Sequence, residues 1–409
     1  MTIRFIHAAD FHLDRPYRGL TPLPNALYSQ IIEAPFHALH QTITYAIENE
    51  VDFILISGDL YDSHNPSLRA EQRFKKEIER LRHLDISVYV IHGNHDPLDS
   101  VRLDVSNDQV EVFSDKVEVK RFIKEGKQTV NLYGFSYPTR HVTDSMISLY
   151  KKESGADYHI GLLHGSVKGT IEHDNYAPFT VQELIEKDFD YWALGHIHKR
   201  ERLTDHAPIY YSGTPQGLSV KETGDKGVQL VTLSKRECKV DFLSTASFLF
   251  ETMTIDITEM LTLNDVILEV ESRKSLFKET GISGLFRLKV IGQSPLHHTL
   301  RTIEVQKELL DLFQDGEDQE EVFCWIMEMD CDTLPDYPRD DWGKESHFLG
   351  DLIRLIDDTD TLTPFVEELY THSKARSYLD PIDAKQQESI LKAAEQLIVR
   401  KLYDEGKGR

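Results

Sequence analysis

The sequence predicts an α/β protein extended by an α+β unit and a helical C-terminal region, and three observations predict it. Over the first ~245 residues, short β-branched runs alternate with amphipathic helical segments. Near Phe248 the pattern becomes strand, helix, strand, helix, strand within about eighty residues, the size of an appended module. Beyond Asp330 the chain turns acidic and proline-bearing, and then amphipathic again.

The elements follow in order. Strands are expected at Ile3–Ala9, Asp52–Ser57, Val88–His92, Val130–Tyr137, His159–His164, Tyr191–Leu194, Ile209–Ser212, Val228–Leu233 and Lys239–Leu243. Helices are expected at Ala26–Glu50, Leu68–His83 and Val181–Lys187. The second unit reads as strand Thr252–Ile257, helix Leu263–Leu276, strand Leu285–Ile291, helix Leu296–Phe313 and strand Val322–Met329. An acidic linker spans Asp330–Lys344, and helices in His347–Lys401 carry the stripes Leu352, Ile353, Ile356 and Ile390, Ala394, Leu397, Ile398. These readings divide the chain into 1–246, 247–330 and 331–409.

The bulk numbers narrow the class. With 409 residues, 40% hydrophobic and 28% charged, most of the chain should fold into two or three domains. The start, MTIRFIHAADFH, has no apolar leader core, and no stretch approaches the ~18 apolar residues of a membrane span, so a cytoplasmic protein is expected. Cys238, Cys324 and Cys331 show no paired spacing, which argues against a disulfide framework or a cysteine-bound zinc. The net charge of −23 leans against nucleic acid, but residues 301–409 hold 27 acidic and 13 basic side chains, hence −14, leaving −9 for the first 300.

Chemistry concentrates in five short motifs: ADFHLD (9–14), GDLYD (58–62), GNHD (93–96), LLHGS (162–166) and GHIH (195–198). Taken singly, each is weak and reads as a turn that happens to carry a histidine or an aspartate. Taken together they are harder to dismiss, because each follows an apolar strand, and open α/β sheets place ligands beyond strand C-termini. Asp10, His12, Asp59, Asn94, His164, His196 and His198 form a mixed imidazole, carboxylate and amide set suited to a borderline divalent ion. Seven donors exceed one open metal site and divide between two ions sharing a carboxylate.

These motifs, in this order, resemble the calcineurin-like metallophosphoesterase superfamily over the first 200 residues or so. The resemblance implies a four-layer αββα sandwich and a dinuclear centre. One metal would take Asp10, His12, Asp59 and His198, and the other Asp59, Asn94, His164 and His196. It also implies that His95 is the catalytic acid, that Asp62 carries the carboxylate orienting it, and that Asp96 caps the turn. The expected ion is Mn²⁺, with Fe²⁺ or Zn²⁺ as the other candidates.

The stretch IYYSGTPQGLSVKETGDKG (209–227) is similar to the SbcD-like DNA repair exonucleases, whose capping domain the 247–330 unit matches in place and size. The ADFHLD start and the GQSPL stretch at 292–296 are similar to the bacterial YhaO type. The resemblance therefore implies hydrolysis of DNA phosphodiesters, a homodimer and a coiled-coil ATPase partner related to SMC proteins. The C-terminal helices are the expected docking element, and the Ala26–Glu50 helix, with Leu27, Ile31, Phe36, Leu39 and Ile43, the expected dimer surface. Candidate phosphate contacts are Arg15, Arg18, Arg102, Arg140, Lys168, Lys199, Arg200 and Arg202. Two other readings stay open: a phosphoesterase for phosphoproteins or small phosphodiesters, and a non-catalytic scaffold with a structural metal site.

Overall fold

A computed structural model describes residues 2–17, 20, 23–62, 66–99, 109–124, 128–169, 176–336, 348–358 and 382–406, with positions 362, 366, 368 and 372. The expected contacts Arg18 and Arg102, and much of the 337–381 stretch, lie outside the described residues. The chain divides into two compact units, one of residues 1–251, 277–286 and 316–325, the other of 252–276, 287–315 and 326–409.

The first unit is built on two six-stranded sheets. β1 (Ile3–Ala8), β2 (Phe53–Ser57), β3 (Ser87–Ile91) and β4 (Val110–Val112) run parallel; at one side β11 (Gly227–Leu233) is antiparallel to β1 and β12 (Cys238–Ser244) antiparallel to β11, in the order β12-β11-β1-β2-β3-β4. The second sheet joins β5 (Glu118–Lys124), β6 (Gln128–Gly134), β7 (Tyr158–His164), β8 (Tyr191–Gly195), β10 (Ile209–Tyr211) and β9 (Glu201–Arg202) in that order. Strand alternation sends Phe5, Phe53, Leu55 and Ile91 inward against Val130, Leu132, Ile160 and Leu162 of the other sheet. Their neighbours Ile6, Ile54, Ile56 and Val90 face the opposite way, under α1 (Asn25–Glu48) and α2 (Leu68–Glu79). On the far side, Leu163, Trp192 and Leu194 pack with Tyr150 and with Leu184 of α3 (Val181–Ile185). Helices, sheet, sheet and helix make four layers, the αββα sandwich expected.

One expectation fails on packing. Leu27, Ile31, Phe36, Leu39 and Ile43 are all buried inside the protomer, while α1 turns Asn25, Ser29, Gln30, His37 and Gln41 to solvent. The apolar stripe that suggested a dimer surface is the helix's own core face.

β13 (Phe248–Asp256), β14 (Ser283–Ser294) and β15 (Cys324–Pro335) form a third sheet with β14 central, its residues divided between the two units. β15 runs through Asp330 to Pro335, so the acidic stretch read as a linker begins as strand. In the second unit, buried Lys274 of α4 (Leu263–Lys278) reaches the Phe313 carbonyl at 2.8 Å. That carbonyl lies near the end of α6 (Ile303–Gln314), after the short α5 (His297–Leu300). Of the C-terminal helices α7 (Phe348–Asp357) and α8 (Ala384–Gly406), α7 buries Ile353, whereas Ile390 and Leu397 of α8 are exposed.

Candidate metal centre

Parallel strands deliver the five motifs to one edge. β1 leads to Asp10 and His12, β2 to Asp59 and Asp62, β3 to Asn94 and His95, β7 ends on His164, and β8 leads to His196 and His198. Beyond the sheet, backbone bonds keep the first two loops in step: Asp10 N to Gly58 O at 3.0 Å, His12 N to Asp59 O at 3.0 Å and Leu13 N to Leu60 O at 2.9 Å. The buried Asp96 carboxylate accepts from Gly93 N at 2.8 Å and Leu60 N at 2.9 Å, tying the third loop to the second. Asp10, His12, Asp59 and His196 all sit at positive φ, a strained conformation for side-chain-bearing residues that concentrates at functional sites. Gly93 and Gly195 leave the necessary room. A Cβ on Gly93 would stand 2.3 Å from Asp59 Oδ1 and 2.7 Å from His164 Nε2, and one on Gly195 would stand 1.9 Å from Ser57 O.

Tyrosine hydroxyls fix the His164 turn from behind. Tyr150, Tyr137 and Tyr211 donate to the carbonyls of Leu162, His164 and Gly165 at 2.6, 2.8 and 2.7 Å.

The hydrogen bonds decide what the pocket can hold. His164 Nδ1 lies 3.0 Å from the Ser57 carbonyl, which can only accept, so Nδ1 carries the proton. The lone pair on Nε2 then faces two further acceptors, Asn94 Oδ1 at 3.0 Å and Asp59 Oδ2 at 3.4 Å. The same logic applies across the pocket. His12 Nδ1 is held by Asp62 Oδ1 at 3.1 Å and His198 Nδ1 by Glu222 Oε1 at 3.0 Å, yet their Nε2 atoms face each other at 3.2 Å. Converging lone pairs repel unless a proton or a cation lies between them.

Electrostatics agree. Burial pushes the Asp10 carboxyl up, with His198 and His164 opposing. For Asp59 burial also pushes up, but His164 and His12 outweigh it and hold the carboxyl well below its usual range. Burial works against charge on His164 too, yet Asp59 and Asp10 raise it to about 9. Buried carboxylates are otherwise paired or bound to metal. Asp10, His12 and His198 present donor atoms within 4.8 Å of one another, as do Asp10, Asp59 and His164. Asp59 Oδ2 lies 3.7 Å from His12 Nε2 and 3.4 Å from His164 Nε2, between the two groups. Asn94 Oδ1 lies 3.2 Å from His196 Nδ1. The donor set fits two divalent cations.

His95 stands beside this set. Its backbone N–H donates to Asp59 Oδ1 at 2.9 Å, and its ring packs edge-on to His12 with centroids 4.7 Å apart. The structure modifies the role expected of Asp62: its main-chain carbonyl, not its carboxylate, accepts from His95 Nδ1 at 3.0 Å. The carboxylate serves His12 and accepts from Arg15 at 2.7 Å. The 209–227 stretch contributes a residue that the five ligand motifs do not contain. Glu222 proves to hold His198 with one oxygen and the Leu218 N–H at 2.9 Å with the other.

A family model described as calcineurin-like phosphoesterase matches residues 3–200. The uncharacterized metallophosphoesterase YhaO of Bacillus subtilis is 36% identical over 406 residues, 98% of each chain. The DNA double-strand break repair protein Mre11 of Saccharolobus solfataricus is 29% identical over 248 residues, 57% of this chain and 61% of that protein. Among solved structures, a dimetal phosphatase from Danio rerio is 13% identical with a TM-score of 0.38, over 60% of this chain and 96% of that one.

Proposed function

The chain belongs to the calcineurin-like phosphoesterase family, and we propose that within this family of metal-dependent phosphoester hydrolases it cleaves DNA phosphodiester bonds. One observation carries the chemistry: imidazole lone pairs face one another at 3.2 Å, and face carboxylate and amide oxygens at 3.0–3.4 Å, around two buried carboxylates. The similarity to a DNA double-strand break repair protein supports DNA as the substrate.

Two divalent ions, for which we assign Mn²⁺ from the nitrogen and oxygen donors, supply Lewis acidity and activate water when bound. The chain's own residues do the rest. Asp10, His12, Asp59 and His198 would hold one ion, and Asp59, Asn94, His164 and His196 the other. Glu222, Asp62 and the Ser57 carbonyl fix the tautomers of His198, His12 and His164, so each ring presents Nε2 inward. His95 has its Nδ1 proton committed to the Asp62 carbonyl, so proton exchange with substrate falls to Nε2. A protonated Nε2 is then available to the leaving oxygen, a contribution of roughly 10²–10⁴-fold. Seven protein ligands and a general acid leave no need for a serine or cysteine nucleophile. The exposed Ile390 and Leu397 of α8 support a partner protein at the C-terminal helices, which we assign to a coiled-coil ATPase.

The test is a substrate panel with Mn²⁺: linear duplex and single-stranded DNA, a phosphopeptide, a cyclic nucleotide and a chromogenic phosphodiester. DNA cleavage abolished by chelator is the expected outcome. Phosphopeptide or cyclic-nucleotide hydrolysis far faster than any DNA cleavage overturns the substrate assignment.

A further inference from the structure

The basic residues around the metal centre are not equivalent. Arg15 is committed to Asp62 at 2.7 Å, Lys168 to Glu183 at 3.3 Å and Arg202 to Asp205 at 3.4 Å, while Lys199 lies 4.0 Å from Glu201. Arg140 is exposed on a loop. Arg200 differs from all of them. It forms no ion pair among the described residues, in a chain of net charge −23, yet its guanidinium is held in place 3.7 Å over the Phe242 ring. A guanidinium stacked on an aromatic face keeps its N–H edge for a planar or tetrahedral anion.

The surroundings form a recess. A cavity of about 280 Å³ is lined by Arg200, Arg202, Tyr210, Gln229, Val240 and Phe242, together with Glu201. The Arg202 guanidinium lies 5.7 Å from the Tyr210 ring centre, so two guanidiniums, each against an aromatic ring, border one recess.

Strand register places the recess relative to the metal centre. Phe242 pairs with Gln229, and Gln229 pairs with His7, three residues before Asp10. Phe242 therefore stands level with the active-site end of β1, two strands away. At ~4.8 Å per strand that is about 10 Å across the sheet. The three residues from His7 to Asp10 add up to ~10 Å along the strand, and a duplex strand advances ~3.4 Å per nucleotide, so the recess lies about three to four nucleotides from a phosphate at the metals. Arg200 follows the ligand His198 by two residues, on the same loop.

We propose that Arg200, stacked on Phe242, forms a subsite for a backbone phosphate of a nucleic-acid strand about three to four nucleotides from the bond cleaved at the metal centre. The subsite rests on the phosphodiesterase reading above and adds to it a dependence on substrate length. It also answers the charge problem: an acidic protein can hold DNA through one pre-organised cation beside a dinuclear centre, without a broad basic face.

Steady-state kinetics of the Mn²⁺-loaded full chain, Arg200→Ala and Arg200→Lys test this on three substrates: a chromogenic phosphodiester, a dinucleotide and a single-stranded ten-mer. The alanine variant is expected to raise KM for the ten-mer about tenfold, the weight of one charge-assisted contact. Its effect on the two small substrates should stay within about twofold. Its log KM against log salt slope for the ten-mer should also be shallower by about one. The lysine variant should recover the salt slope but only part of the affinity, having lost the planar stack. Equal losses on all three substrates, or none on the ten-mer, overturn the subsite while leaving DNA hydrolysis standing. Wild-type protein that turns over the chromogenic diester and neither oligonucleotide overturns both.

Discussion

Gly93 is the position where a single methyl group tests the geometry of the site. A Cβ there would stand 2.3 Å from Asp59 Oδ1 and 2.7 Å from His164 Nε2, whereas ordinary contact begins near 3.4 Å. The carboxylate oxygen would have to retreat by about 1.1 Å, from 2.3 to 3.4 Å, and the imidazole by about 0.7 Å, from 2.7 to 3.4 Å. Neither atom is free to do so. Asp59 Oδ1 accepts from His95 N at 2.9 Å, and His164 is anchored to Ser57 O at 3.0 Å. Overpacking of this kind costs roughly 1–3 kcal/mol of stability. Function should suffer more, because reacting groups displaced by about 1 Å lose on the order of 10²-fold in rate. Gly93 is not among the glycines at positive φ, so backbone strain does not confuse the result. Gly93→Ala should therefore fold with Tm lowered by a few degrees, bind fewer than two ions per chain, and lose about a hundredfold or more in phosphodiester turnover. Circular dichroism, metal analysis and a chromogenic assay read the three outcomes. An alanine variant that keeps two ions and turns over within about threefold of wild type would refute the packing described around Asp59 and His164.

Three further outcomes follow from the same contacts. His95→Asn should keep both ions while kcat falls roughly 10²–10⁴-fold, since the backbone N–H to Asp59 survives the change; one ion fewer in that variant makes His95 a ligand. Glu222→Gln keeps an acceptor for His198 Nδ1 but removes its charge, and titration calorimetry should show one of the two ions bound about 10–100-fold more weakly; two unchanged affinities contradict the positioning role. His7 is fully buried, and burial lowers its pKa from 6.5 to about 4, with the Leu194 carbonyl and Gln229 opposing. Between those values the unfolded chain binds a proton that the folded chain refuses, so stability falls as pH drops from 6.5 toward 4. That interval is worth about 3 kcal/mol at ~1.36 kcal/mol per pH unit. His7→Gln should flatten the decline of Tm over that range, and an unchanged slope assigns it to other groups.

The sandwich and the five ligand loops were legible because strand ends and metal donors leave marks in neighbouring residues. Apolar runs such as DFILIS and YWAL are followed at once by GD or GH, and parallel strands must bring those loops to one edge. What escaped was set by tertiary context. β5 was missed because it runs half-exposed as an edge strand of the second sheet, with Lys120, Arg121 and Lys124 masking the strand signal. β4 was missed because only three residues pair. The α1 stripe was visible, but nothing local distinguishes a helix face that packs on its own sheet from one that packs on a second copy. The role of Asp62 turned on which atom of one residue meets which ring. Its carboxylate and carbonyl serve different histidines, and no spacing rule separates them. Glu222 lies 24 residues beyond the ligand it holds, brought back by a loop.

The central proposal is that Asp59 would be held in common by two divalent ions at a centre where a phosphodiester is hydrolysed. Native mass spectrometry of Mn²⁺-loaded wild type and Asp59→Ala, run beside a DNA hydrolysis assay on the same samples, tests it most directly. Two ions per chain with DNA cleavage in the wild type, and neither in the variant, is the result this account predicts. An Asp59→Ala protein that still holds two ions, or still cleaves DNA, contradicts it.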